Sequence, residues 1–275
     1  MRAIPPSMDS AVVESIDSRL ARVEANHGVR IPWSIESGSR AWGFPSPDSD
    51  YDCRFIYVRP ASDYLSLWPA RDVIETPLDA VLDVSGWDLA KAVRLILKGN
   101  AAALEWLRSP IVYTGDEGFR DRLLALAAET VERDLILRHY LHVGQQQLAG
   151  GTSLKRFFYA LRPAVTLRWL ADHPESAVPP MDLPTLIRES SVSAEEAEAA
   201  GELIAAKAVT REAGDGTRPA VLLRFVEAEF ERAAKHDEMV LVQDRDGRID
   251  SARERADAWF LAELCALNGS AVLHD

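Results

Sequence analysis

One stretch of the sequence decides the fold: Gly38-Ser39-Arg40-Ala41-Trp42-Gly43-Phe44-Pro45-Ser46-Pro47-Asp48-Ser49-Asp50-Tyr51-Asp52. It follows an apolar run that ends at Ile35 and leads into a second run, 53–58. Asp50 and Asp52 stand at i and i+2 where the second run begins, and at a strand end or bulge both side chains can converge on one cation. Carboxylates suit Mg²⁺, which takes one or two of them and adds water and substrate phosphates. The stretch therefore predicts a metal site.

The beginning of the same stretch favours a nucleotide as the metal's partner. At a strand-to-helix or strand-to-turn junction, Gly38 and Ser39 let backbone amides and a hydroxyl approach a phosphate closely. A simpler interpretation exists for the acidic pair, because Pro-Asp-Ser-Asp at 47–50 is good chemistry for a solvated turn. The spacing from Gly38-Ser39 to the pair favours the metal-nucleotide interpretation over the turn.

The rest of the first 115 residues alternates strand and helix patterns. Short apolar or β-branched runs predict strands over 29–35, 53–58, 72–74 and 80–84. Helical spacing predicts a first helix over 10–26. Ser85-Gly86-Trp87-Asp88 matches a capping box with Ser85 as N-cap, which predicts that a helix begins directly after Val84.

Beyond about residue 114, helical patterns replace strand patterns. They cover 119–148, 154–170, 194–210, 220–236 and 252–267. Pro163 predicts a kink or a restart within the second of these, and the proline-rich segment 173–184 predicts an extended connection. We therefore expect an α+β fold: a small mixed-sheet core over 1–115, followed by a helical domain over 116–275 that closes one side of a cleft.

Composition predicts a soluble, folded protein. The 275 residues are 47% hydrophobic and 27% charged, a usual globular mixture. The N-terminus lacks the apolar stretch of a signal peptide, and no run approaches the ~18 apolar residues of a membrane span. Cys53 and Cys265 lie far apart without CxxC spacing, which is typical of free thiols in a reducing compartment. We expect a cytoplasmic protein without a membrane partner.

Charge is unevenly distributed along the chain. The net charge of −12 disfavours a protein that coats nucleic acid through its overall field. Residues 135–171, however, contain no Asp or Glu and five Lys or Arg. This window predicts a local surface for a confined anion such as a triphosphate or a strand end, unless its arginines pair with carboxylates elsewhere. Lys155 and Tyr159 share a helix face there, so Lys155 can neutralise phosphates and Tyr159 can stack on a base, or the helix is simply amphipathic.

Gly-Ser followed about a dozen residues later by Asp-x-Asp resembles the signature of the DNA polymerase beta nucleotidyltransferase superfamily. Longer strings resemble its bacterial branch of predicted nucleotidyltransferases, some of them RNA-ligase-associated. These strings are 38–43, 49–52, 83–89, 105–113 and 155–163. The resemblance spans about 37–169; it is specific for fold and metal chemistry and weak for substrate.

The superfamily uses three carboxylates, the Asp-x-Asp pair and a third on a later strand. Asp83 is the strongest candidate because it lies in the strand-like run 80–84; Glu75 and Asp79 are rivals, and Asp88 is set aside because helix capping accounts for it. The resemblance thus implies two divalent ions, Mg²⁺ or Mn²⁺, that bind a triphosphate and activate an acceptor hydroxyl, with pyrophosphate leaving in line.

The predicted reaction is transfer of a nucleoside monophosphate from an NTP to a hydroxyl. The acceptor stays open among an RNA 3′ end, a protein hydroxyl and a small molecule, as does the oligomeric state. The residues assigned to metal and catalysis are Asp50, Asp52 and Asp83, and those assigned to the nucleotide are Gly38, Ser39, Arg40, Lys155 and Tyr159. One alternative is a nucleotide-binding or antitoxin-like module without turnover. Another is a metal-dependent glycosyltransferase, which Gly38-Ser39 disfavours because such enzymes carry a longer βαβ segment upstream.

Overall fold

The computed structural model describes residues 1–79, 81–210, 218–240 and 246–268. Five strands form one sheet: β1 Arg30–Glu36, β2 Tyr51–Val58, β3 Val73–Glu75, β4 Leu82–Asp88 and β5 Val112–Gly115. Their order across the sheet is β3-β4-β2-β1-β5. The β2 and β4 strands are parallel and the other neighbouring pairs are antiparallel, so the sheet is mixed, as predicted.

Helices flank the strands, and every described element after β5 is a helix. The first five are α1 Ser10–His27, α2 Gly38–Ala41, α3 Ala61–Tyr64, α4 Leu89–Leu97 and α5 Ala101–Arg108. The remainder are α6 Glu117–Thr130, α7 Arg133–Ala149, α8 Leu154–Asp172, α9 Leu183–Arg188, α10 Ala194–Val209, α11 Ala220–Val240 and α12 Asp246–Asn268. The predicted α+β class is confirmed. No helix within the described ranges is long and apolar enough to cross a membrane.

One face of the sheet packs against α1. This helix buries an apolar stripe at helical spacing, Val13, Ile16, Leu20 and Val23, and the Asp9 side chain caps its N-terminus. The stripe meets every second residue of β2, and a hydrophobic cluster forms there. Side chains alternate along a strand, so the other residues of β2 point to the opposite face.

The opposite face lies under the remaining helices. Its cluster starts from residues of β1 and β2 and continues through α4 to α8 into α10 and α11. The boundary predicted after residue 115 coincides with the end of β5. The division into a core and a cleft-closing helical domain stays a prediction.

The predicted capping box at 85–88 is wrong. Those residues belong to β4, which pairs in parallel with β2 from Tyr51↔Leu82 to Tyr57↔Asp88. Gly86 is required inside this strand because a Cβ there would collide with the ring of Phe55. The helix begins three residues later than predicted, and Asp88 is its N-cap, accepting a hydrogen bond from the Ala90 amide at 2.8 Å.

Other boundaries also differ from the sequence patterns. The pattern over 119–148 forms two helices, α6 and α7, separated at Val131 and Glu132. The predicted restart at Pro163 is wrong, because α8 continues through that residue. The short elements β5, α5 and α9 were not predicted, since four to eight residues carry little periodicity.

Candidate active site

The parallel pairing of β2 and β4 sets two predicted carboxylates side by side. Asp52 and Asp83 are register partners, and both stand on the face opposite α1. The guanidinium of Arg54 joins them: Nη2 donates to Asp52 Oδ1 at 2.9 Å and to Asp83 Oδ2 at 2.7 Å. Both carboxylates stay open to solvent, with side chains 29% and 41% exposed. The structure therefore brings the second and third predicted acids together.

Gly38 lies directly against Asp52. Its φ of 62° is in the left-handed region that favours glycine. A Cβ at this position would collide with Asp52 Oδ2 and come within 3.0 Å of Cγ. The Gly-Ser motif and the Asp-x-Asp motif are thus adjacent in space, which explains why a side chain is excluded at residue 38.

Hydroxyls and one arginine hold the loop between these motifs. Ser39 is buried, and its Oγ donates to Ser49 Oγ at 3.0 Å. Arg40 donates from Nη2 to the Ser49 carbonyl at 2.6 Å and from Nε to the Asp50 carbonyl at 3.2 Å. Its guanidinium also lies 3.9 Å from the centroid of the Tyr51 ring. Arg40 therefore fixes the backbone that carries Asp50, whose own side chain is exposed.

Several charges act on Asp52. Burial raises its pKa above the usual range, and the negative charges of Asp83 and Asp50 raise it further. Arg54 and Lys155 oppose this effect and lower it. All three predicted acids are therefore close enough to interact, together with two cations.

A fourth carboxylate, which the sequence patterns did not identify, lies beneath this site. Glu36, at the end of β1, is fully buried. Its Oε1 accepts from the Asp52 amide at 3.0 Å, and its Oε2 accepts from the Tyr113 hydroxyl at 2.5 Å. Burial raises the pKa of Glu36 to about 7. Glu36 thus holds the backbone of Asp52 from the α1 side of the sheet.

The predicted helix face is only partly available to a ligand. Lys155 is exposed on α8, whereas Tyr159 is half-buried and contacts Trp42 edge-on, with ring centroids 5.4 Å apart. Arg162 is buried and forms an ion pair with Glu105 at 2.8 Å. The structure therefore places Lys155 and Tyr159 on the same side as the acids and uses Arg162 for packing.

Other arginines of the acid-free window also pair with carboxylates outside it. Arg138 binds Asp237 at 2.7 Å, and Arg168 forms an ion pair with Glu229. The interpretation that these arginines form ion pairs with acids outside the window is thus confirmed for Arg138, Arg162 and Arg168. The basic surface is smaller than the sequence indicated, because three of its five charges are neutralised within the fold.

The two rival carboxylates lie elsewhere. Glu75 pairs with Arg71 at the exposed edge strand, at 2.6 Å. Asp79 pairs with Arg19 and accepts from the amides of the turn before β4. Neither has a bond with Asp52 among the described contacts, whereas Asp83 shares Arg54 with it. The catalytic roles themselves stay predictions.

Arg54 and Glu36 are the residues that sequence reasoning missed. A signal existed for Arg54, because the period of two along a strand places it on the same face as Asp52. For Glu36 the only signal was an acid that directly follows an apolar run. Its partner Tyr113 is 77 positions away, and no local pattern predicts that contact.

Comparison with known proteins agrees with the motifs. The model of RlaP, the RNA repair pathway DNA polymerase beta family, matches residues 12–262. The uncharacterized protein YcgL of Bacillus subtilis (strain 168) is 36% identical over 238 residues, which are 85% of this chain and 91% of that protein. A nucleotidyltransferase-like protein from Exiguobacterium sibiricum 255-15 covers 94% of this chain and 77% of its own, with 10% identity and a TM-score of 0.29. A score this low supports no conclusion. The family match confirms the resemblance seen in the motifs: the chain belongs to the RNA repair pathway DNA polymerase beta family.

Proposed function

We propose that this chain is a metal-dependent nucleotidyltransferase that moves a nucleoside monophosphate from an NTP to an acceptor hydroxyl. The observation that carries the proposal is the register of β2 and β4, which sets Asp52 beside Asp83 with one cationic group bridging them. The chain belongs to a family whose description places it in RNA repair, so we propose an RNA end as the acceptor.

The donor set fits a Mg²⁺ or Mn²⁺ ion. Asp52 and Asp83 supply two carboxylates whose oxygens bind the same nitrogen of Arg54. Among the described residues, no three His, Cys, Asp or Glu side chains are grouped closely enough to enclose an ion. Mg²⁺ does not need such a group, since it takes one or two carboxylates and completes its shell with water and phosphates. When bound, the ion would neutralise triphosphate charge and help the acceptor hydroxyl lose its proton.

The chain's own groups take distinct roles in this proposal. Gly38 leaves room for the carboxylate of Asp52, which fills the position that a side chain would take, and we assign the backbone beside it to a phosphate. The exposed ammonium of Lys155, whose charge is felt at Asp52, binds the triphosphate. We assign the ring of Tyr159, held against Trp42, to the base.

The remaining predicted residues position the loop or move a proton. Arg40 holds the carbonyls of Ser49 and Asp50, so its contribution to nucleotide binding is the placement of that loop. Asp83 is the more exposed of the two bridged carboxylates. We assign it to the acceptor side, where its Oδ atoms can accept the proton of the attacking hydroxyl.

The test is product analysis with the purified chain. It uses Mg²⁺, each NTP labelled at the α-phosphate, and a short RNA with a free 3′ hydroxyl. We expect labelled RNA and released pyrophosphate from the wild type, and neither product from Asp83→Asn. Glu75→Gln removes a charge at the edge strand and should keep both products. If NTP binds saturably but no pyrophosphate appears with RNA, protein or small-molecule acceptors, the module without turnover is the correct interpretation.

A further inference from the structure

The side chain of Arg54 is fixed at both of its terminal nitrogens. Besides the two bonds from Nη2 to Asp52 and Asp83, Nη1 donates to the backbone carbonyls of Cys53 and Asp83, each at 3.1 Å. The side chain is 18% exposed, so it is partly shielded from water. Hydrogen bonds between ionised partners are stronger than neutral ones. Arg54 is therefore a tightly held counter-ion for both carboxylates.

A divalent ion between Asp52 and Asp83 would carry out the same electrostatic task as this guanidinium. Asp52 Oδ1 and Asp83 Oδ2 both accept from the same Nη2 atom, so the guanidinium occupies the space between the two carboxylates that would hold the ion. Two cations a few ångströms apart repel, most strongly where water is partly excluded. Guanidinium and metal ion therefore compete for this position.

We propose that Arg54 is an internal competitor of the metal ion, and that metal loading requires its guanidinium to leave Asp52 and Asp83. The inference rests on the proposed function and adds a regulatory element to the same site. In the metal-free protein the acids are neutralised from within. The site then loads only when the concentration of divalent ion is high enough to displace the arginine, and the strength of the ion pairs sets that threshold.

The inference is tested by measuring Mn²⁺ binding with isothermal titration calorimetry and by the electron paramagnetic resonance signal of free Mn²⁺. Removing the competitor in Arg54→Gln should tighten Mn²⁺ binding by roughly ten- to a hundredfold, the range expected for hydrogen bonds to charged groups. Arg71→Gln is the matched control: it removes the same charge from an exposed ion pair, and should change the affinity by no more than about twofold. Equal or weaker Mn²⁺ binding by Arg54→Gln would overturn the inference.

A third variant separates this inference from the proposed function. Asp52→Asn should lose Mn²⁺ affinity if the metal site is correct. If Asp52→Asn binds Mn²⁺ like the wild type, the metal site and the competition are both wrong. If Asp52→Asn loses Mn²⁺ while Arg54→Gln matches the wild type, only the competition is wrong.

Crystal structures of the wild type test the competition without any substitution, so the result does not depend on whether a variant folds. They would be determined with and without Mn²⁺. With Mn²⁺ bound, Arg54 Nη2 should have left both carboxylate oxygens. If the metal binds while both of these hydrogen bonds remain, the competition is refuted.

Discussion

The two faces of β2 differ: one is apolar along the whole eight-residue strand, whereas the other is charged at its start and apolar at Ile56 and Val58. Phe55 and Tyr57 face α1 and are completely buried, whereas Asp52 and Arg54 on the other face remain partly open to solvent. The apolar face determines the register, because a shift by one residue would expose all its side chains. Asp52 and Arg54 are partly exposed, so a shift would cost less free energy on their part of the strand. Packing on one side of the strand therefore aligns Asp52 with Asp83 on the other.

The largest expected effect is on the apolar face. Phe55→Ala should lower the free energy of unfolding by about 3–5 kcal/mol, because it removes a fully buried ring that packs over Gly86. Turnover per folded molecule should stay near the wild type at low temperature. Chemical denaturation measures the change, with the exposed Leu65→Ala, expected within about 0.5 kcal/mol, as control. A Phe55→Ala protein as stable as the wild type would contradict the role given to this face.

On the charged face the effects should be reversed. Asp52→Asn should lower turnover by roughly a hundred- to a thousandfold, as expected when a group that stabilises transition-state charge is removed. Its melting temperature should be at or above that of the wild type, because the raised pKa of Asp52 means that its charge costs folding energy. Asp50→Asn should likewise lose turnover without unfolding. Near-full activity with an identified substrate, or unfolding of both variants, would refute the metal-site assignment.

Glu36 connects the two faces, and its titration should appear in the stability of the protein. Its pKa is about 7 in the folded protein, against an ordinary 4.5 in the unfolded chain. The folded state therefore holds this proton more tightly, and the free energy of unfolding should fall as pH rises from 4.5 to about 7. The loss from this group is roughly 3 kcal/mol by pH 7.

Denaturant unfolding across this pH range measures the effect. Residue 36 does not titrate in Glu36→Gln, so the free energy of unfolding of this variant should fall less between pH 4.5 and 7, by the loss assigned to Glu36. The stability of the variant relative to the wild type should therefore be greatest above pH 7. Glu75→Gln, at the exposed edge strand, controls for the loss of a carboxylate. Parallel profiles for the wild type and Glu36→Gln would show that the buried carboxylate keeps an ordinary proton affinity.

Much of this arrangement followed from local sequence patterns. The strands and the Gly-Ser and Asp-x-Asp motifs are local features, and the period of two predicts which residues share a face. Asp83, preferred over Glu75 and Asp79 as the third carboxylate, lies beside Asp52 in space, and its catalytic role stays a prediction. The helix after it was placed too early. That error arose because Ser85 and Asp88 satisfy a capping pattern, while pairing with β2 extends the strand through them.

What could not be predicted depends on contacts between distant parts of the chain. The burial of Arg162 requires Glu105, 57 positions earlier, and the burial of Glu36 requires Tyr113. Lys207 is a similar case. It looks like a surface residue in sequence, yet its ammonium is buried and donates to the Phe44 carbonyl at 2.8 Å. Charged residues that complete a fold in this way cannot be distinguished by composition from those that bind a ligand.

The smallest expected effect concerns the helix that faces the charged side of β2. Lys155→Ala should raise the KM for NTP more than it lowers kcat, because a contact kept throughout the reaction contributes equally to ground-state and transition-state binding. A hydrogen bond to a charged group is worth ~1.5–3 kcal/mol, so KM should rise roughly ten- to a hundredfold. Lys207 is unsuitable as a control because it is buried. The control is Lys235→Ala, since Lys235 is exposed on α11 in an ion pair with Glu231. If NTP titrations give equal KM values for Lys155→Ala and the wild type, this face of α8 is ordinary solvated surface, and the triphosphate must be bound by the β2 side of the site alone.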